Sequence, residues 1–191
     1  FLFCYSYFMQ ETRQTRTNRP YELVEYDENW PTRFIELHEF LMTVFGSEVI
    51  KVEHIGSTSI PGMIAKPIID AVVVVRNLDA VEGYYEAFES SGYECKGNFT
   101  GQDEEYFTYT NSEGRRLYNV HVMQDGNPHI SEVLNFRDFM RSDPAARQEY
   151  REIKLRLKET YGTDDYNSYD NQKGILMENL KARAMEWATH K

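Results

Sequence analysis

Apolar residues return at Phe34, Leu37, Leu41, Val44 and Phe45, one face of a helix, and Gly46 ends the run. With Pro31 tolerated in its first turn, this pattern predicts a helix to about residue 45. Before it, Tyr21 to Tyr26 alternates and predicts a short strand or extended arm. After it, Glu48 to Ile55 reads as a strand. Pro67 to Val75 (PIIDAVVVV) reads as a second strand, apolar at almost every position and therefore covered on both faces. A helix over about 79–91, a short strand at Tyr93 to Lys96 and a hairpin follow. The hairpin's arms are Glu105 to Thr110 and Arg115 to Met123, joined through Gly114.

The remainder is helical in period. Ile130, Val133, Leu134 and Met140 mark one helix, and Ala146, Tyr150, Ile153 and Leu157 a second, capped by Asp143-Pro144 and stopped at Gly162. Tyr169, Leu176, Leu180, Ala184 and Trp187 mark a third, with Lys173 on its stripe. The order predicts an α+β domain: a mixed sheet with helices on one side, continued by a C-terminal helical segment, in two or three layers.

Composition narrows the function. The chain has 191 residues, 41% hydrophobic and 14% aromatic, as expected of one globular domain over 20–191. A formal net charge of −10 argues against binding extended nucleic acid, which needs a basic face, but leaves room for a small anion where a few cations converge. Cys4 and Cys95 form no metal or redox spacing, so a cytoplasmic location is expected. No apolar run approaches the roughly 18–20 residues that span a bilayer, so no membrane partner is expected. The opening FLFCYSYFM precedes Arg13, Arg16 and Arg19, the reverse of a secretory signal; residues 1–19 are expected to be a poorly packed tail.

One carboxylate, Asp70, interrupts the most apolar strand. Burying a carboxylate without partners costs several kcal/mol or shifts its pKa, so Asp70 needs a cation, a metal or a set of donors. The loop before it, Gly56-Ser57-Thr58-Ser59-Ile60-Pro61-Gly62, suits oxyanions: glycine admits close approach, and hydroxyls and N–H groups donate. It is not a P-loop, because Met63 stands where lysine would follow the second glycine.

Gly-Ser after one strand and an acid in the next resembles the nucleotidyltransferases related to DNA polymerase β. There the Gly-Ser contacts nucleotide phosphates, and two acids two residues apart hold a pair of divalent ions, since that spacing puts both on one face of a strand. Here Val72 occupies the second acid's position, and Asn119 or His121 the place of the third. The longer string VEHIGSTSIPGMIAKPIID, with YELVEYDENWPTRF before it and NVHV and LNFRDFMR after it, resembles the GrpB family of small nucleotidyltransferase-fold proteins from about Tyr21 to the last helix. The resemblance implies a polymerase β-like fold without supplying a defined reaction.

The resulting expectation is a nucleotide- or phosphate-binding protein. Gly56, Ser57, Thr58 and Ser59 would bind phosphate, with Lys66, Arg137 and Lys173 balancing charge. Arg137 is equally readable as an ion-pair partner of Asp138, and Lys173 either reaches water or faces a cavity. Asp70 would hold one Mg²⁺ or a ligand hydroxyl and would be the catalytic residue if nucleotidyl transfer to a small acceptor occurs. The alternatives are a binding module that has lost its second acid, and a hydrolase in which His54, Asp70 and His121 hold a single transition metal.

Overall fold

The computed structural model describes residues 21–191; the expected tail over residues 1–19 lies outside them. Helix α1 spans Trp30–Phe45, followed by strands β1 (Val49–Ile55) and β2 (Ile69–Val75). Helix α2 (Tyr85–Ser90) leads to β3 (Tyr93–Cys95), β4 (Glu104–Thr110) and β5 (Arg116–Gln124). Four helices close the chain: α3 (Pro128–Ser142), α4 (Pro144–Tyr161), α5 (Tyr166–Leu176) and α6 (Glu178–Ala188).

The five strands form one mixed sheet in the order β1-β2-β5-β4-β3, parallel only between β2 and β5. Strand alternation sorts β2 between two layers. Ala71, Val73 and Val75 pack with Trp30, Leu37, Leu41 and Phe45 of α1 and with Phe88 of α2. Val72 faces the other way, with Ile55 and Met123, and is covered by Ile130, Val133 and Leu134 of α3. Helices therefore cover both faces of the sheet, not one. The apolar run of β2 already required this, because a strand without a polar edge has no face to give to water.

A second core fills the helical segment, where Phe139, Met140, Tyr150, Ile153, Leu157, Tyr169 and Leu180 meet. Three residues of the connection between β1 and β2, Ile60, Met63 and Ile64, are fully buried in this second core. Each such burial contributes about 1.5–3 kcal/mol, so the Gly56–Gly62 loop is pinned to the bundle. At the other end, Val24 and Ala65 exchange both backbone hydrogen bonds, 2.9 and 3.0 Å.

Two helices differ from expectation. The segment over 79–91 begins as a 3₁₀ turn, Leu78–Tyr84, and becomes α-helical only from Tyr85; Gly83 weakens the α form there. The last stripe is split at Met177 into α5 and α6. Met177 is buried, whereas the expected Leu176 is exposed. Among the described residues, no helix is long and apolar enough to cross a membrane.

Candidate functional site

Gly56 ends β1 with φ +68°, and the chain turns through a single 3₁₀ turn, Ser57–Ser59. An added Cβ on Gly56 would stand 2.4 Å from Asp70 Oδ2. Glycine is needed twice over here, for the left-handed backbone and for the carboxylate lying against it. Gly56, Ser57 and Asp70 together line one wall of a cavity of about 1000 Å³ between the sheet and the helical segment. The opposite wall carries Tyr150 of α4, Asp170 and Lys173 of α5, and Lys181 of α6.

The floor is set by register. Asp70 on β2 lies opposite Asn119 on β5, and Asn119 Nδ2 donates to Asp70 Oδ1 at 2.7 Å. Tyr106 on β4 donates from its hydroxyl to Asn119 Oδ1 at 2.9 Å, fixing the amide's orientation. Two residues along β5, His121 lies opposite Val72 and pairs through Nδ1 with Glu104 Oε2 at 2.7 Å. Glu104 is fully buried and also accepts from the Thr100 hydroxyl. Burial alone would raise its carboxyl, but the His121 hydrogen bond and charge outweigh it and hold the group below the usual glutamate range.

A two-metal arrangement does not fit this donor set. Val72 is completely buried and apolar, Asn119 occupies the third acid's place, and it engages one of Asp70's two oxygens. Hard divalent cations need several oxygen ligands, and no group of three His, Cys, Asp or Glu residues among the described residues is placed to hold a metal.

The His54–Asp70–His121 set is also excluded, because its members do not share a face. His54 lies opposite Ala71 in the ladder, not Asp70, and its ring stacks on Phe34 of α1 at 4.7 Å. His54 Nε2 meets the Thr58 hydroxyl at 3.0 Å, and Thr58 donates to the Ile68 carbonyl at 3.2 Å. Burial, with Arg141 and Arg137 nearby, lowers its imidazole to about 4, so it is neutral at ordinary pH. Thr58 and Ser59 both turn away from the cavity; Ser59 donates back to the Gly56 carbonyl at 2.6 Å. Of the four residues expected on phosphate, only Gly56 and Ser57 face the hollow.

Arg137 is likewise corrected. It is buried, bonded to Glu53, to Asp138 (2.8 Å) and to the His54 carbonyl (3.1 Å), and it lines a separate cleft beside α1. The ion-pair reading of this residue holds. Lys173 does reach the cavity, 3.0 Å from Asp170. Its burial opposes the charge, but Asp170 together with Tyr150, Tyr169 and Tyr166 outweighs it and raises the amine above the usual lysine range. Lys66 stands behind that wall, donating to the Tyr166 hydroxyl at 2.9 Å and lying 3.9 Å from Asp170.

One residue of the site escaped the sequence reading. Lys154 of α4 is 2% exposed, with Nζ 2.6 Å from Ser57 Oγ and 2.7 Å from the Ile64 carbonyl. Ser57 Oγ also meets the Tyr150 hydroxyl at 3.1 Å. The signal was available: Tyr150, Ile153, Lys154 and Leu157 occupy one helical stripe, as Tyr169 and Lys173 do.

A glycine-serine turn after one strand and an acid on the next, facing a helical segment across a cleft, define a nucleotidyltransferase-like fold. A cytoplasmic RNA terminal U-transferase shares that fold at 12% identity, with a TM-score of 0.50 over 80% of this chain and 46% of the other. The family model described as GrpB protein matches residues 20–183, and the chain belongs to the GrpB family. The crystal structure of the conserved protein GrpB from Enterococcus faecalis superposes with a TM-score of 0.81 at 31% identity, over 87% of this chain and 99% of that one. The UPF0157 protein YqkA of Bacillus subtilis is 37% identical over 169 residues, 88% of this chain; the match spans only 48% of YqkA, about half its length.

Proposed function

We propose that the cleft binds a nucleotide or another small phosphorylated ligand, with its phosphate seated at Ser57. The observation that carries this reading is that Ser57, Asp70 and Lys173 line one cavity of about 1000 Å³, with the buried Lys154 2.6 Å behind the Ser57 hydroxyl. A concave site with a few convergent polar groups is the usual form of a small-ligand pocket, and 1000 Å³ is at the roomy end of that class. Lys173 supplies a standing positive charge, and Gly56 lets the ligand come close to the backbone. Asp70 Oδ2 remains for a ligand hydroxyl, such as that of a ribose, or for a Mg²⁺ that arrives with the phosphates.

The donor set favours binding over two-metal nucleotidyl transfer, and no catalytic step is assigned. Calorimetric titration with nucleoside triphosphates, with and without Mg²⁺, tests the reading. Saturable binding weakened at least tenfold by Ser57→Ala supports it, and no binding of any nucleotide or of pyrophosphate contradicts it. Pyrophosphate release abolished by Asp70→Asn would instead show transfer chemistry.

A further inference from the structure

Lys154 is buried behind Ser57, and the groups around it do not balance a charge. Its hydrogen-bond partners are a hydroxyl and a carbonyl, both neutral, and Nζ also lies 4.4 Å from the centre of the Tyr150 ring. Its titratable neighbours are Lys66 before β2, Asp70 on β2, Tyr150 on its own helix, and Lys173 and Asp170 on α5. Asp170 is already engaged by Lys173 at 3.0 Å, and Asp70 by Asn119. Burial first, then the charges of Lys173 and Lys66, push the Lys154 amine well below the usual lysine range, with Asp70 opposing only in part.

We propose that Lys154 rests as a neutral amine and takes up one proton when a dianionic group, chemically the end of a phosphate monoester, seats on the Ser57 hydroxyl. The inference rests on the binding role proposed above and adds its proton coupling and its preference for dianions.

The hydrogen bonds to Ser57 and Ile64 can be assigned in both states, with the remaining N–H of Lys154 left to the Tyr150 ring 4.4 Å away. A serine hydroxyl has one proton to give and two lone pairs. In the free protein the Ser57 proton points to the lone pair of Nζ, while Tyr150 donates to Oγ and Nζ donates to the Ile64 carbonyl. When an anion arrives from the cavity, Ser57 turns its proton outward to the anion oxygen. Nζ, now protonated from solvent, donates to both Oγ and the Ile64 carbonyl. The only bond formed is the new N–H on Nζ, made by its lone pair with a proton from solvent, and the only species taken up besides the anion is that proton. The anion's charge is what makes the buried ammonium tolerable, because it is the counter-charge the protein itself omits.

The test uses sulfate, which stays dianionic throughout the range, with inorganic phosphate at pH 8.5 as a second probe. Calorimetry in two buffers of different ionisation enthalpy reads proton uptake directly. The wild-type protein is expected to take up about one proton per sulfate at pH 8.5, with affinity falling about tenfold per pH unit above that. Lys154→Met is expected to lose the uptake and at least tenfold in affinity. Binding without uptake, or uptake unchanged in Lys154→Met, overturns the inference and leaves the binding site standing. Absence of sulfate, phosphate and pyrophosphate binding overturns both. A ¹³Cε titration of Lys154 in the anion-free protein is an independent check, and an ordinary lysine midpoint there also overturns the inference.

Discussion

The Gly56–Ser59 turn has two sides, and they handle polar groups in opposite ways. On the α1 side the polar groups are matched within the protein. His54 meets Thr58, Thr58 meets a carbonyl, Arg137 meets two carboxylates, and Arg141 places Nε and Nη2 on the Ser59 carbonyl at 2.9 and 2.7 Å. On the cavity side Lys154 has only neutral partners, and Asp70 keeps one oxygen beside a glycine with no side chain. The first side is built to hold the turn. The second leaves chemistry open toward the hollow, although both arise from four consecutive residues.

The contrast breaks most readily at Gly56. Gly56→Ala is expected to destabilise the protein by about 3 kcal/mol, through positive φ and collision with Asp70. Gly62→Ala shares the positive φ but has nothing within 4 Å of the new methyl, and is expected to cost only about 1 kcal/mol. Urea denaturation of the two variants measures the difference, and equal losses would mean that the close approach of Asp70 is not real.

Next in size is a pH effect on the matched side. The folded His54 titrates near 4 and the unfolded one near the usual 6.5, so the unfolded chain binds more protons between those values. Stability contributed by neutral His54 is therefore complete above about pH 6.5 and is lost as pH falls toward 4, about 3 kcal/mol in all. His54→Gln should flatten that part of the stability profile; an unchanged slope would place the histidine in water.

Two cavity-side substitutions sharpen the comparison with smaller effects. Lys173→Met removes the 3.0 Å partner of Asp170 and is expected to cost about 1 kcal/mol of thermal stability. Asp70→Asn keeps a hydrogen-bonding side chain opposite Asn119 and is expected to change stability by less than about 1 kcal/mol. Nucleotide affinity in the same variant should fall at least tenfold. A large stability loss with unchanged affinity would make Asp70 a structural residue.

Much of this was legible in the amino-acid sequence because periodicity and punctuation are local. Asp143-Pro144 caps α4 as expected, with Ala145 and Ala146 N–H groups donating to Asp143 Oδ1 at 2.9 and 3.0 Å. The strand carrying Asp70 and its place beside the glycine-serine turn were also readable. What failed depended on pairing between distant segments. His54 and Asp70 take opposite faces only because Ile55, not His54, is in register with Asp70. Arg137 joins Glu53, 84 residues away, which no spacing rule reports. Lys154 is different: its stripe position announced burial, but the serine it meets lies 97 residues earlier.

The most direct measurement is a crystal structure of the protein soaked with a non-hydrolysable triphosphate nucleotide. The account predicts phosphate density against the Ser57 hydroxyl on the Lys173 side of the cavity, with the sugar toward Asp70. Density beside Arg137 and Arg141 in the α1-side cleft, or none at saturating nucleotide, would contradict it.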